Sequence, residues 1–242
     1  MPDIAVALIN ASTVLRDDEI RAVVPALQKQ VSQHLAQVWG IDAALAFVPR
    51  GATRPPGAWW LTILDNSDQA GTLGYHDLTD EGLPHGKVFA GTDLVMGYNW
   101  TVTASHELLE MLVDPDISRS VHLQSETGGD KIYACEVSDP CESDSYGYLI
   151  DGVLVSDFVF PSWFESFRAP NSSQFDVTQQ LSQPFSLAPG GYILVMDANG
   201  AGGWHQVNAA TMPQGFAARA PVGSRRERRR IRRCHWLCSS CH

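Results

Sequence analysis

Thr101-Val-Thr-Ala-Ser-His106-Glu107-Leu-Leu-Glu110-Met-Leu-Val-Asp114-Pro115 is the stretch on which the reading of this chain turns. Its apolar residues predict a helix from about Asn99–Thr101 to Val113, ended by Asp114-Pro115, because proline bars the residue before it from helical geometry. At 100° per residue His106 and Glu110 lie about 40° apart, one turn from each other on one face. Two such side chains can hold one metal ion, as the histidines of a His-Glu-x-x-His helix do. Glu107 is offset by about 100°, placed to reach a water on the metal as general base without ligating the metal itself. Leu108, Leu109, Met111 and Leu112 cover the other faces, so the helix should be buried. Buried carboxylates then require a partner for their charge.

A zinc site takes a further protein ligand from elsewhere in the chain. The best source is Glu136-Val-Ser-Asp139-Pro-Cys141-Glu142, where a strand-like run ends in a polar turn. Glu136 and Asp139 are the candidates, with Asp114, two turns beyond His106, as another; spacing does not decide among them. With Glu in place of a second His the donor set is harder and more anionic than a two-histidine site. It suits zinc and leaves calcium or manganese as alternatives. The bland alternative is that His106 and Glu107 mark a solvated helix face.

Working outward, Ile4–Ile9 has the length and apolarity of a strand. Asp17-Asp18-Glu19 then open a helical pattern through Ile20, Val23, Val24, Leu27, Val31, Leu35 and Val38, with Gly40 as its stop. Ala44–Val48 and Trp59–Leu64 read as strands around the loop Arg50–Gly57. Gly71–Tyr75 and Lys87–Gly91 are expected as further short strands, and the chain from 116 to 130 as a polar loop. Lys131–Val137 is strand-like. Asp151-Gly152 joins Tyr146–Ile150 to Val153–Phe160 as a hairpin, since Asp-Gly suits a type I′ turn. Trp163, Phe164 and Phe167 are expected to pack as core, and Trp59-Trp60 to lie half-buried. Residues 171–218 suggest short strands between Gly-rich turns.

The order of elements resembles that of the zincin metallopeptidases: strand, helix, strands, a glycine-bearing edge strand, then the His-Glu helix. More narrowly, His106-Glu107-Leu-Leu-Glu110, Asp114-Pro115 and Glu136-Val-Ser-Asp139-Pro-Cys141 look like the motifs of a group of bacterial protease-like proteins and the plant phosphate-induced (exordium-like) proteins. That group carries a His-Glu-x-x-Glu helix, an Asp/Asn-Pro and a Glu-Ile-x-Asp-x-Cys segment. The likeness covers about residues 95–160, and Glu110 stands where the well-characterised zincins have His. It implies a zincin-like α+β fold: a mixed β-sheet, a long N-terminal helix and a metal-site helix over residues 1–170. A small β-rich extension over 171–218 and a basic Cys/His-containing tail over 219–242, expected to be disordered, complete the chain.

The function expected is metal-dependent peptide-bond hydrolysis, with zinc on His106, Glu110 and one acid of the Glu136–Asp139 segment, and a peptide or protein as substrate. Gly71–Tyr75 could pair with an extended peptide. Tyr146, Tyr148 and His76 are candidates to stabilise the oxyanion, with packing as the simpler role for each. The rival expectation is a non-catalytic module stabilised by zinc or calcium.

Composition bounds these expectations. The 242 residues are 44% hydrophobic and 18% charged, enough to bury a core and too apolar for a disordered chain. The formal charge of −10 is a difference between unlike parts. Eight of the 17 basic residues and one of the 27 acids follow residue 218, leaving a body of −17 and a tail of +7. Ten acids fall between Glu107 and Asp144 against Arg119 and Lys131, a local bias that suits a cation. Nucleic acid is an expected partner only through the tail. No run of 18 apolar residues predicts a membrane span, and no secretory signal is read at the start, so cytoplasm is the default location. Of five cysteines, Cys135 and Cys141 either bridge or stay as free thiols. Cys234, Cys238 and Cys241 lie in the tail, whose Cys/His spacing could bind zinc.

Overall fold

The computed structural model describes residues 2–69, 71–124, 129–200 and 202–209. The expectations for the basic tail and its three cysteines fall outside these residues.

The fold is α+β, built on a five-stranded mixed sheet. Strand β1 (Ile4–Asn10) lies inside the sheet, and helix α1 (Asp17–Lys29) carries the chain across to the edge strand β2 (Ala43–Val48), parallel to β1. The expected long helix is continuous from Asp17 to Trp39 but not uniform. A π-helical segment, Gln30–Leu35, separates α1 from a last turn, α2 (Ala36–Trp39), and Gly40 closes it at φ 67°. Pro25 lies inside α1, where it has no N–H to donate. The acids of the first turn, Asp17, Asp18 and Glu19, meet the positive end of the helix.

Strand β3 (Trp59–Leu64) lies parallel to β1 on its other side. The next strand, β4 (Gly74–Leu78), begins three residues later than the sequence suggests, because Gly71 sits at φ 75° in the approach to it. It turns through Thr79–Leu83 into β5 (Pro84–Phe89), which is parallel to β3 and antiparallel to β4. The sheet order is thus β2-β1-β3-β5-β4, with β4 an edge antiparallel to its neighbour. Gly91, expected at the end of a strand, opens instead a helix that the sequence did not announce, α3 (Ala90–Met96).

Helix α4 (Trp100–Val113) follows, and all but one of its residues are buried. Such a helix must be packed on every side. It lies against β3, β4 and β5 on one flank and against the later hairpin on the other. Thr101 Oγ1 donates to the Leu154 carbonyl at 2.7 Å, and Ser105 Oγ accepts from Ser156 N at 2.5 Å, fixing it to that hairpin. Helices α1 and α4 share one face of the sheet, where Val6, Leu8, Leu61, Ile63 and Val88 join Ile20, Leu27, Leu108 and Leu112 in the main core.

Beyond α4, the stretch expected as a loop holds a strand, β6 (Ser120–Leu123), paired antiparallel with β7 (Lys131–Ala134). The hairpin of β8 (Tyr148–Ile150) and β9 (Val153–Val155) turns at Asp151 (φ 50°) and Gly152 (φ 84°), both left-handed as a type I′ turn requires. Late in the chain β10 (Tyr192–Asp197) pairs with both β7 and β11 (His205–Asn208), giving a second sheet, β11-β10-β7-β6. Trp163 and Phe164 meet edge to face at 4.8 Å in the core. Phe167, expected with them, is 81% exposed, with the Arg168 guanidinium over its ring. Cys135 and Cys141 are both buried and both free, so the bridged alternative is not realised. No helix among the described residues is long and apolar enough to cross a membrane.

Candidate metal centre

Three parts of the chain meet beside α4. The helix presents His106 and Glu110 from adjacent turns and Glu107 from the flank. Strand β4 alternates sides, so Gly74, His76 and Leu78 face α4 while Tyr75 and Asp77 face away. The segment after β7 supplies Glu136 and Asp139, the latter opening a short 3₁₀ turn, Asp139–Cys141. That segment is held by its backbone: Val159 N donates to Val137 O at 2.7 Å, Ala188 N to Pro140 O at 2.9 Å, and Ser138 N to Glu110 Oε1 at 3.2 Å.

The six side chains are buried: His76 1%, His106 4%, Glu107 1%, Glu110 3%, Glu136 7% and Asp139 3% exposed. His106 Nε2 lies 3.2 Å from Glu110 Oε1 and 3.3 Å from Asp139 Oδ1. On the other side of Glu110, His76 Nδ1 is 3.7 Å from Glu110 Oε2 and 3.7 Å from Glu107 Oε2, while its Nε2 is 3.7 Å from Glu136 Oε2. Two donor groups result, His106–Glu110–Asp139 and His76–Glu110–Glu136, in each of which one ligand atom per residue lies within 4.8 Å of the others.

The electrostatics follow from burial and crowding. Burial opposes the His106 imidazolium, yet Glu110 and Asp139 outweigh it and hold His106 protonated well above its ordinary range. Burial and the nearby Asp139 push the Glu110 carboxyl up to about 7, against the pull of His106. A carboxyl in this state retains a proton that a cation would displace.

The closeness of α4 to the sheet has a visible cause in two glycines. A Cβ on Gly74 would stand 2.7 Å from Glu107 Oε1 and 2.8 Å from its Cγ, and one on Gly86 2.7 Å from Leu61 Cδ1 and 3.7 Å from Glu107 Cβ. Neither glycine has positive φ, so each is needed for space rather than for backbone conformation.

Of the residues singled out from sequence, His106, Glu107, Glu110, Glu136 and Asp139 come together. Asp114 does not join either donor group; its Oδ1 accepts from Ser118 N at 2.8 Å and Arg119 N at 2.7 Å, ordering the turn after α4. Among the three oxyanion candidates, His76 lies in the cluster. Tyr148 is turned to the long helix, its hydroxyl 2.9 Å from His34 Nδ1 and 3.2 Å from Gln30 Nε2. Tyr146 packs at the rim of the main core. The sequence reading missed His76 as a metal-ligand candidate and missed both glycines. Strand alternation would have found His76 had β4 been placed three residues later.

Cys141, close to the cluster, is an inert thiol: burial first, then Asp157 and Asp176, push it well above its ordinary range. Those two aspartates are themselves buried. Asp157 Oδ1 accepts from Phe158 N at 2.7 Å and Val177 N at 2.9 Å, and Asp176 accepts from Gln180 N at 2.8 Å and Leu181 N at 3.1 Å.

Comparison of the chain with protein-family models, with curated proteins and with solved structures gave no match in any of the three.

Proposed function

We propose that the chain binds a divalent cation, zinc first and calcium or manganese as alternatives, through His106, Glu110 and Asp139, and hydrolyses peptide bonds with Glu107 as general base. The observation that carries this is the spacing of buried donors, 3.2 and 3.3 Å from one imidazole nitrogen to two carboxylates. Ligands about 2.0–2.1 Å from a tetrahedral zinc stand about 3.4 Å from each other, so the donor set fits the ion. The order of elements, with an antiparallel edge strand before the His-Glu helix, supports the zincin-like part of the reading.

When bound, the ion supplies Lewis acidity, which lowers the pKa of a water and polarises a carbonyl. The chain's own residues do the rest. Glu107 takes the proton of the attacking water and passes it to the leaving amine nitrogen. Gly74 and Gly86 let Glu107 lie close against the sheet. His76 Nδ1 stands 3.7 Å from Glu107 Oε2 on the flank away from Gly74. An extended peptide substrate would lie along β4, the last strand in the sheet order.

Burial favours a second reading, a structural cation without catalysis, since Glu107 is only 1% exposed. Zinc-loaded protein and casein or a peptide library separate the two. The enzyme reading expects chelator-sensitive hydrolysis that falls by about 10²–10⁴ in Glu107→Gln with the ion retained. Unchanged hydrolysis in that variant removes Glu107 as the base, and a bound ion with no hydrolysis of any peptide establishes the structural role.

A further inference from the structure

We infer that this centre holds two divalent cations, with the Glu110 carboxylate bridging them. The inference rests on the proposed ion at His106, Glu110 and Asp139, and adds a second at His76, Glu110 and Glu136. Glu110 presents its oxygens in different directions. Oε1 faces His106 Nε2 at 3.2 Å, and Oε2 faces His76 Nδ1 at 3.7 Å. Glu136 and Asp139, three residues apart, go one to each side, and both donor groups have their ligand atoms within 4.8 Å of one another. A carboxylate shared in this way matches the separation of about 3.5–4 Å between the ions of two-metal centres.

Charge points the same way. Stripped of their protons, Glu107, Glu110, Glu136 and Asp139 would carry four negative charges inside the protein, beside two imidazoles that are neutral when they ligate. One divalent cation leaves the six side chains at −2, and two bring them to zero; a buried charge is tolerated only when it is compensated. The Nδ1 of His76 faces Glu110 and its Nε2 faces Glu136, each at 3.7 Å, so either ring nitrogen stands beside an acid of the second donor group.

The two positions differ in size. Around His106 the donors stand 3.2 and 3.3 Å apart, the edge of a zinc tetrahedron. Around His76 the donors stand farther apart, 3.7 Å from Nδ1 to Glu110 Oε2 and 3.7 Å from Nε2 to Glu136 Oε2. Ligands about 2.3–2.6 Å from a larger six-coordinate ion are about 3.3–3.7 Å apart when adjacent, so the second position suits calcium, with manganese as the smaller alternative. Such an ion keeps waters in its shell. The Ser138 hydroxyl, fully buried between Glu136 and Asp139 in the chain, has no hydrogen-bond partner among the described residues.

The test is ion stoichiometry on the full chain, stripped with chelator and reloaded with Mn²⁺, an ion the soft tail cysteines do not favour. Two Mn²⁺ per chain are expected, with the electron paramagnetic resonance of an exchange-coupled pair, and one in His76→Ala with the signal of an isolated ion. One ion per chain, kept in His76→Ala and lost in His106→Ala, overturns the second ion and leaves the proposed function standing. One ion kept in His106→Ala and lost in His76→Ala overturns both. Two uncoupled ions, or two that survive His76→Ala, overturn the bridge. The wild-type spectrum decides between one ion and a coupled pair even if a variant fails to fold.

Discussion

Gly74→Ala tests how tightly the proposed base is held. The added methyl would meet three atoms at once: Glu107 Oε1 at 2.7 Å, Glu107 Cγ at 2.8 Å and Thr103 Cγ2 at 2.8 Å. Carbon contacts settle at about 3.5–4.0 Å, so the overlap is about 0.7–1 Å. Glu107 is buried, with His76 3.7 Å beyond its other oxygen, so it cannot swing into solvent to relieve it. Overpacking of this kind costs about 1–3 kcal/mol. For a chain of this size that lowers the melting temperature by roughly 3–10 °C. A misplacement of about 1 Å in a reacting group lowers turnover by about 10²-fold. The methyl meets none of His106, Glu110 or Asp139, so ion content should not change. The assay is therefore threefold: calorimetry, ion content and peptide hydrolysis. Glu107→Ala in the same chain should return part of the lost stability, a coupling that a double-mutant cycle measures. A melting temperature within about 1 °C of wild type, or strictly additive single and double variants, would refute the close contact between β4 and Glu107.

Gly191→Ala probes the other side of the centre: its Cβ would stand 2.1 Å from Pro140 O, next to Asp139 in the chain. Backbone must move there, so cation affinity measured by titration should fall about 10-fold or more, and unchanged affinity would show that β10 does not position Asp139. Asp157 predicts a pH dependence. Burial, then the neighbouring Asp176, raise its carboxyl from the ordinary 3.8 to about 7 while Thr178 opposes. The folded state therefore binds the proton more tightly than the unfolded one. The stability this contributes is fully present below about 3.8 and is lost as pH rises towards about 7, by up to about 4 kcal/mol. Urea midpoints should fall across that range in wild type and much less in Asp157→Asn; equal slopes in the two proteins would assign the titration elsewhere.

What the sequence made legible divides along a physical line. Trp59–Leu64 was readable to the residue because a run of apolar and β-branched residues between Gly and Asp has one sensible state. The His106 helix was readable to within about a residue at its start and to Val113 at its end, and the 3.6-residue period alone places His106 over Glu110. The Asp151-Gly152 turn was equally local, since only residues tolerant of positive φ fit it. β4 slipped by three residues because Gly71 and Gly74 look alike in sequence, whereas one is a φ 75° loop position and the other gives room to Glu107. β6 was hidden in a polar stretch because its partner β7 begins eleven residues after it begins, and its own burial is slight. The choice between Glu136 and Asp139 could not be made from spacing. In the fold they lie on opposite sides of Glu110, a distinction made only by the meeting of β4, α4 and the segment after β7.

That meeting also explains why so many acids are tolerated in the interior. Proteins seldom bury carboxylates without compensation, and a core built for stability alone would place apolar residues at these positions. Here the helix, the edge strand and the 3₁₀ turn each spend buried positions on titratable groups, and backbone contacts from Val159 and Ala188 pin the segment that carries two of them. His106 is held protonated and Glu110 retains its proton up to about 7, so protons and cations compete for the same lone pairs. A cluster whose charge is adjustable in this way, set beside a helix packed on all sides, is rigid in its backbone and variable in its protons, which is what the proposed cation site requires.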